Sequence, residues 1–183
     1  EHRIGLTPDS VKALTEKNHE VLVENNGGFE AGFTNEDYLK AGAKIINTPE
    51  EIFKKAELIV KVKEPQMNEV KMIRDGQIIY TYLHLAAAKE LTLGLMKSNS
   101  ICIAYETVTD DNGRLPLLAP MSAVAGRMSI QAGAHCLEKN QKGRGLLIGG
   151  APGVESANVV ILGGGVVGEN AAIIATGMRG KVY

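Results

Sequence analysis

Val159-Val160-Ile161-Leu162-Gly163-Gly164-Gly165-Val166-Val167-Gly168 runs from four consecutive apolar residues into a glycine turn, and residues 170–176 carry on as a helix pattern. This is G-x-G-x-x-G with a strand before it and a helix after it, the setting in which such a turn cradles a dinucleotide pyrophosphate. Gly163 permits the tight turn, Gly165 lets backbone approach the phosphates, and Gly168 lets the helix pack against the strand. The pyrophosphate then rests on the helix N-terminus, where free N–H groups and the helix dipole favour an anion. Glycine-rich strand-to-helix turns also occur without a ligand, so it is the context that favours a nucleotide. The acidic residue that would contact a ribose lies about 20 residues past such a motif. That is beyond Tyr183, and the motif alone does not choose NAD over NADP.

Working outward, strands alternate with helices almost throughout, which predicts an α/β fold with a mainly parallel sheet. Thr7-Pro8 is an N-cap followed by proline at the first helical position, opening a helix through Val11 and Leu14. Residues 21–23 read as a short strand, Asn25-Asn26-Gly27-Gly28 as a loop, and Thr34 as the cap of a short helix that Gly42 ends. Thr48-Pro49-Glu50-Glu51 has the residues of a capping box. Residues 58–63, 77–84 and 101–106 form three near-continuous apolar runs, as strands covered on both faces do. Helical stretches at 66–72 and 88–97 separate them, and Asp110-Asp111-Asn112-Gly113 is a turn. A longer helix at 122–137 reads as a connector, and Lys181-Val182-Tyr183 as a strand just starting.

The expected division is a Rossmann-like parallel-sheet substrate domain over residues 1–124. After it come the connector helix and the start of a Rossmann nucleotide-binding domain over 125–183. Glu1-His2-Arg3 and Tyr183 are both expected to be points of truncation.

Bulk properties exclude several classes. With 44% hydrophobic and 22% charged residues among 183, a packed core is expected. A net charge of −1, no Trp, 5 Tyr and 3 Phe give no case for nucleic acid or an anionic membrane. No apolar run approaches the roughly 20 residues that span a bilayer. Cys102 and Cys136 are both expected to be buried thiols, which suits a reducing cytoplasm. His2, His19 and His135 show no metal-ligand spacing, so no metal site is expected. Ser122 lies in no nucleophile-elbow motif.

In an open parallel sheet, ligands bind beyond the carboxyl ends of the strands. Lys63, His84 and Glu106 each follow an apolar run to such an end. A histidine can pass protons near neutrality, and a lysine can neutralise a carboxylate or polarise a carbonyl oxygen. Each alone has a plain structural reading: a surface lysine, a hydrogen-bonded histidine, a capping glutamate. Their shared topological position is what points to a site. Lys61 has the side-chain parity of Lys63, so spacing does not say which faces that site, and Glu106 has no assigned role.

Four motifs carry a family resemblance: Lys61-Val62-Lys63-Glu64-Pro65, Leu83-His84-Leu85-Ala86-Ala87, Ala104-Tyr105-Glu106-Thr107-Val108 and Pro116-Leu117-Leu118-Ala119-Pro120-Met121-Ser122. With the opening Glu1-His2-Arg3-Ile4, with Gly149-Gly150-Ala151-Pro152-Gly153-Val154 and with the glycine turn, the chain resembles bacterial alanine dehydrogenases from end to end. The resemblance implies reversible, NAD-dependent oxidative deamination of L-alanine to pyruvate and ammonium, by a homohexamer. It implies that Arg3 and Lys63 hold the substrate carboxylate and carbonyl, that His84 is the acid/base and that Ser122 contacts the cofactor. It also implies a catalytic aspartate beyond Tyr183. Two alternatives stand beside this reading. One is the NAD(H)-binding alpha subunit of a transhydrogenase, which shares the fold by family likeness. The other is a truncated chain with no activity of its own.

Overall fold

The computed structural model describes residues 1–183. Packing separates two compact units, Glu1–Val108 and Thr109–Tyr183.

The first unit opens with helix α1 (Pro8–Thr15), which Thr7 caps by accepting from the Ser10 N–H at 3.3 Å, as its Thr-Pro start predicts. Strand β1 (Leu22–Glu24) follows, then helix α2 (Asn35–Lys40), strand β2 (Lys44–Ile46) and helix α3 (Pro49–Lys55). Strand β2, which pairs with β1 in parallel, is not among the elements expected from the sequence. The reciprocal capping box occurs at α2. Thr34 N–H donates to Asp37 Oδ2 at 2.8 Å while Asp37 N–H donates to Thr34 Oγ1 at 3.3 Å. At α3 only Thr48 caps, accepting from Glu51 N–H at 3.4 Å, and the Glu51 carboxylate turns to Lys55 Nζ at 3.6 Å.

Strand β3 (Leu58–Val60), helix α4 (Met67–Val70), strand β4 (Ile78–Thr81), helix α5 (Lys89–Ser98) and strand β5 (Ile101–Ala104) complete the unit. They build a parallel sheet in the order β3-β4-β5, with Thr81 opposite Ala104. The strands end at Val60, Thr81 and Ala104, so Lys63, His84 and Glu106 all stand in the loops just beyond the carboxyl edge. Full burial on both faces is corrected for the outer strands. Ile79 and Thr81 of central β4 are wholly buried, whereas Leu58, Ile101 and Ile103 on the edge strands are exposed. Phe53, Ile59, Val70, Ile73, Ile79, Leu83, Leu91 and Leu95 form the core under this sheet. A smaller core of Val11, Val21, Tyr38, Ala41 and Ala43 joins α1 and α2 to β1 and β2.

In the second unit, helix α6 (Ala119–Cys136) starts earlier than its expected opening at 122, with Pro120 in its first turn. Strand β6 (Asn158–Val159), helix α7 (Val166–Gly177) and strand β7 (Lys181–Val182) follow, with β6 and β7 parallel. Helix α6 packs closely on α7: a Cβ on Gly126 would collide with the Val167 carbonyl oxygen. Ile130, Ile148, Ala171 and Ala175 form the core. The thiols depart from expectation, since Cys102 is half-buried and Cys136 exposed. Cys136 lies six residues past buried Ile130, roughly 120° round a helix of 3.6 residues per turn, and so off the packed face. No helix is long and apolar enough to cross a membrane.

Candidate active site

Thr81 sets the position of the first cluster. Its hydroxyl is buried and must find an acceptor. It stands 2.9 Å from the Val62 carbonyl oxygen and 3.0 Å from that of Lys63, which pins the segment after β3 over the end of β4. From there Lys63 Nζ lies 3.6 Å from Glu64 Oε2, and His84 Nδ1 lies 3.3 Å from the same oxygen. Glu64 thus joins the lysine and the histidine. Burial pushes the Glu64 pKa up, but a backbone hydrogen bond, the Lys63 charge and the His84 ring outweigh it and hold the group below its ordinary value. At neutral pH it is a carboxylate.

The Lys61 ammonium is held by both oxygens of Glu69, at 2.6 Å to Oε2, whereas Lys63 shares Glu64 with His84.

His84 has φ +51°, a left-handed conformation that β-carbon crowding makes costly for any residue but glycine, on the order of 1 kcal/mol. The Glu106 carboxylate meets it there, accepting from His84 N–H at 2.7 Å and from Leu83 N–H at 3.1 Å. Burial raises the Glu106 pKa, and the hydrogen bonds from the His84 and Leu83 N–H groups lower it further than burial raises it. Behind His84 runs an aromatic stack. Its ring lies 5.9 Å from that of Tyr82, which meets Tyr105 edge-on at 5.0 Å, and Tyr105 meets Tyr80 at 4.4 Å. Burial of Tyr105 pushes its pKa up to about 12.

Arg3 carries a carboxylate in a two-pronged grip: Nε donates to Glu1 Oε1 and an Nη donates to Oε2, both at 2.9 Å. This fork geometry is the one by which guanidinium recognises carboxylates generally. The hydrogen bonds from Arg3 lower the Glu1 pKa to about 2. Arg3, Lys61, Lys63, Glu64 and Glu69 line one cavity of about 1100 Å³ that extends between β1 and β3, while His84 and Glu106 stand outside its wall.

The second cluster belongs to the second unit. Gly163 has φ +104°, the conformation that its place in the turn requires. A Cβ on Gly168 would collide with the Gly163 carbonyl oxygen, so helix and turn meet with no room for a side chain. The same Cβ would lie 3.3 Å from Ile161 Cγ2, so the helix closes on both the turn and the apolar run before it. A Cβ on Gly165 meets no atom of the chain within 4 Å, leaving open space at the N-terminus of α7. A cavity of about 950 Å³ is lined by Ser122, Gly163, Gly165 and Gly168, with Arg144 and Ser156 beside them. Ser122 on α6 is thus brought to the glycine turn. No group of three or more His, Cys, Asp or Glu is arranged to hold a metal ion.

Against known families, residues 1–125 match the model "Alanine dehydrogenase/PNT, N-terminal domain" and residues 129–183 match "Alanine dehydrogenase/PNT, C-terminal domain". The chain belongs to the alanine dehydrogenase/PNT family. Alanine dehydrogenases of Halomonas elongata, Methanococcus maripaludis and Mycobacterium tuberculosis are 52%, 51% and 48% identical over 182 residues. In each case the match covers 100% of this chain and 49% of the relative, so the chain spans about half the length of the curated relatives it matches. A solved L-alanine dehydrogenase superposes with TM-score 0.88 at 50% identity, covering 98% of this chain and 50% of that one. A transhydrogenase from Sinorhizobium meliloti superposes with TM-score 0.78 at 22% identity, covering 100% of this chain and 52% of that one, which shows a shared fold.

Within this alanine dehydrogenase/PNT chain, two features escaped sequence reading. Glu64 was visible only as a letter in KVKEP, and nothing in the spacing aims it at both Lys63 and His84. Arg144 and Ser156 reach the cavity at the glycine turn from loops, with no pattern to mark them.

Proposed function

We propose that the protein interconverts L-alanine with pyruvate and ammonium, using NAD as the hydride carrier. The observation that carries this reading is the convergence of Lys63 and His84 on Glu64, in a chain about half identical to alanine dehydrogenases. The glycine turn fits a dinucleotide: the space a Gly165 Cβ would take is empty, and α7 presents unpaired N–H groups beside it. Gly163, Gly165 and Gly168 shape that cradle, and Ser122 supplies a hydroxyl at its rim. When bound, the nicotinamide accepts hydride from the alanine Cα or returns it.

The chain's own groups then have distinct work. Arg3 grips the substrate carboxylate with the fork it now turns on Glu1. Lys63 places positive charge against the substrate oxygen where negative charge develops. His84 moves protons as water adds to or leaves the imine carbon, with its Nδ1 side held by Glu64 and Nε2 left for transfer. Assembly as a homohexamer and a cytoplasmic location belong to the same proposal, on family likeness. The transhydrogenase alternative shares the family models but has a solved relative only 22% identical, and it gives Lys63 and His84 no amino-acid substrate.

The test is loss of NADH absorbance by the full-length protein with pyruvate, ammonium and NADH. Consumption that needs all three supports the reading. NADH binding without alanine binding or turnover would favour the transhydrogenase alternative instead.

A further inference from the structure

Glu106 has no part in the reaction as proposed, yet its carboxylate is spent on the backbone of the residue that does. The sheet register explains how it arrives there. Thr81 lies opposite Ala104, so two residues further on Leu83 comes opposite Glu106. Strand β5 has by then ended in the tight turn Tyr105–Thr107, and its main chain no longer offers an acceptor to Leu83 N–H, while His84 N–H, of the parity that in Tyr82 meets Val62, is turned to the same side. The Glu106 side chain takes the place of that missing edge. Oε1 accepts from His84 N–H at 2.7 Å and from Leu83 N–H at 3.1 Å, with Oε2 at 3.3 Å from the latter. Between these contacts His84 holds φ +51°.

A left-handed histidine persists only where its surroundings over-determine it. Two successive N–H groups converging on one anion supply such a constraint. We propose that Glu106 is a positioning residue, whose carboxylate clamps the left-handed backbone of His84 and so fixes where the imidazole stands. Released, His84 relaxes to negative φ, its ring leaves Tyr82 and Glu64, and Nε2 no longer meets the substrate. The catalytic part of this inference rests on the reading of His84 as acid/base; the clamp itself does not.

The experiment is a double-mutant cycle on the full-length protein, pairing Glu106→Leu with His84→Gly, since glycine adopts positive φ freely. Thermal unfolding is read for all four proteins. NADH affinity and kcat are read for the series Glu106, Glu106→Gln, Glu106→Leu. A clamp predicts that Glu106→Leu lowers Tm more when residue 84 is glycine, because glycine keeps the N–H bond but carries no left-handed strain whose relief would offset its loss. It also predicts kcat falling stepwise from Glu through Gln to Leu, by about 10²-fold in all, the scale of a catalytic group misplaced by about 1 Å. NADH affinity should stay unchanged. An equal Tm loss in both backgrounds, or wild-type kcat in Glu106→Leu, overturns it. If the leucine variant does not fold, Glu106→Gln in both backgrounds makes the same comparison. Absence of alanine chemistry in the wild type would sink the functional reading alone, because the thermal cycle still decides the clamp.

Discussion

The Glu64 carboxylate lies 3.3 Å from His84 Nδ1, so one face of the imidazole is committed to an anion and the other is left for chemistry. The contact is half exposed on the histidine side, and its effect is to orient the ring more than to stabilise the fold. Glu64→Gln should therefore lower kcat several-fold and Tm only slightly, while NADH affinity holds. Steady-state kinetics with a fluorescence titration of NADH would separate the two, and an unchanged kcat would remove Glu64 from the mechanism.

Lys63 and Lys61 provide a matched pair. Lys63→Ala should raise the pyruvate KM by roughly tenfold or more, as loss of a charge-assisted contact does. Lys61→Ala should leave that KM alone and cost some stability, since the Glu69 carboxylate then keeps only its bond from Gln66 N–H. Reversed outcomes would assign the substrate contact to Lys61 instead.

The glycine turn separates ligand effects from folding effects. Gly165→Ala places a methyl in open space, so Tm should hold while NADH affinity falls at least tenfold. Gly168→Ala drives a methyl into the Gly163 carbonyl and should lower Tm first. Calorimetry and an NADH titration on both variants check this. Wild-type NADH affinity in Gly165→Ala would refute the pyrophosphate placement.

Thr81→Val keeps the volume and removes the hydroxyl that holds the Val62 and Lys63 carbonyls. A loss of about 1–2 kcal/mol is expected from one buried hydrogen bond. The pyruvate KM should rise with it, because Lys63 loses its support. Denaturant unfolding and kinetics on one preparation measure both, and a KM at the wild-type value would show that Lys63 is placed by other means.

Acid should weaken the first unit through Glu64 and Glu106. Both have folded-state pKa values below the ordinary carboxylate value, so each contributes stability above its unfolded pKa that is lost as pH falls through its folded one. The loss should begin as pH falls through the ordinary carboxylate range and continue below it, because both folded-state values are lowered. In the Glu64→Gln/Glu106→Gln double variant, the decline of Tm over that interval should be shallower. A decline as steep as the wild type's would assign the acid sensitivity to other carboxylates.

The sequence by itself determined the α/β class, the strand–turn–helix around Gly163, and the caps at Thr7, Thr34 and Thr48, because each is written in neighbouring residues. It also brought Lys63, His84 and Glu106 to one edge, since an apolar run ends where its polar successor begins. Only the tertiary structure decided what those residues do to one another. Glu64 between Lys63 and His84 depends on how far the loop after β3 is drawn over β4, which the distant Thr81 hydroxyl controls. Glu106 on the His84 backbone depends on strand register and on β5 ending two residues earlier. Lys61 and Lys63 are indistinguishable at period two, and it is their partners, Glu69 for Lys61 and Glu64 for Lys63, that differ in the folded chain. Contacts set by register and by partners from other elements leave no periodic trace, so no local pattern could have shown them.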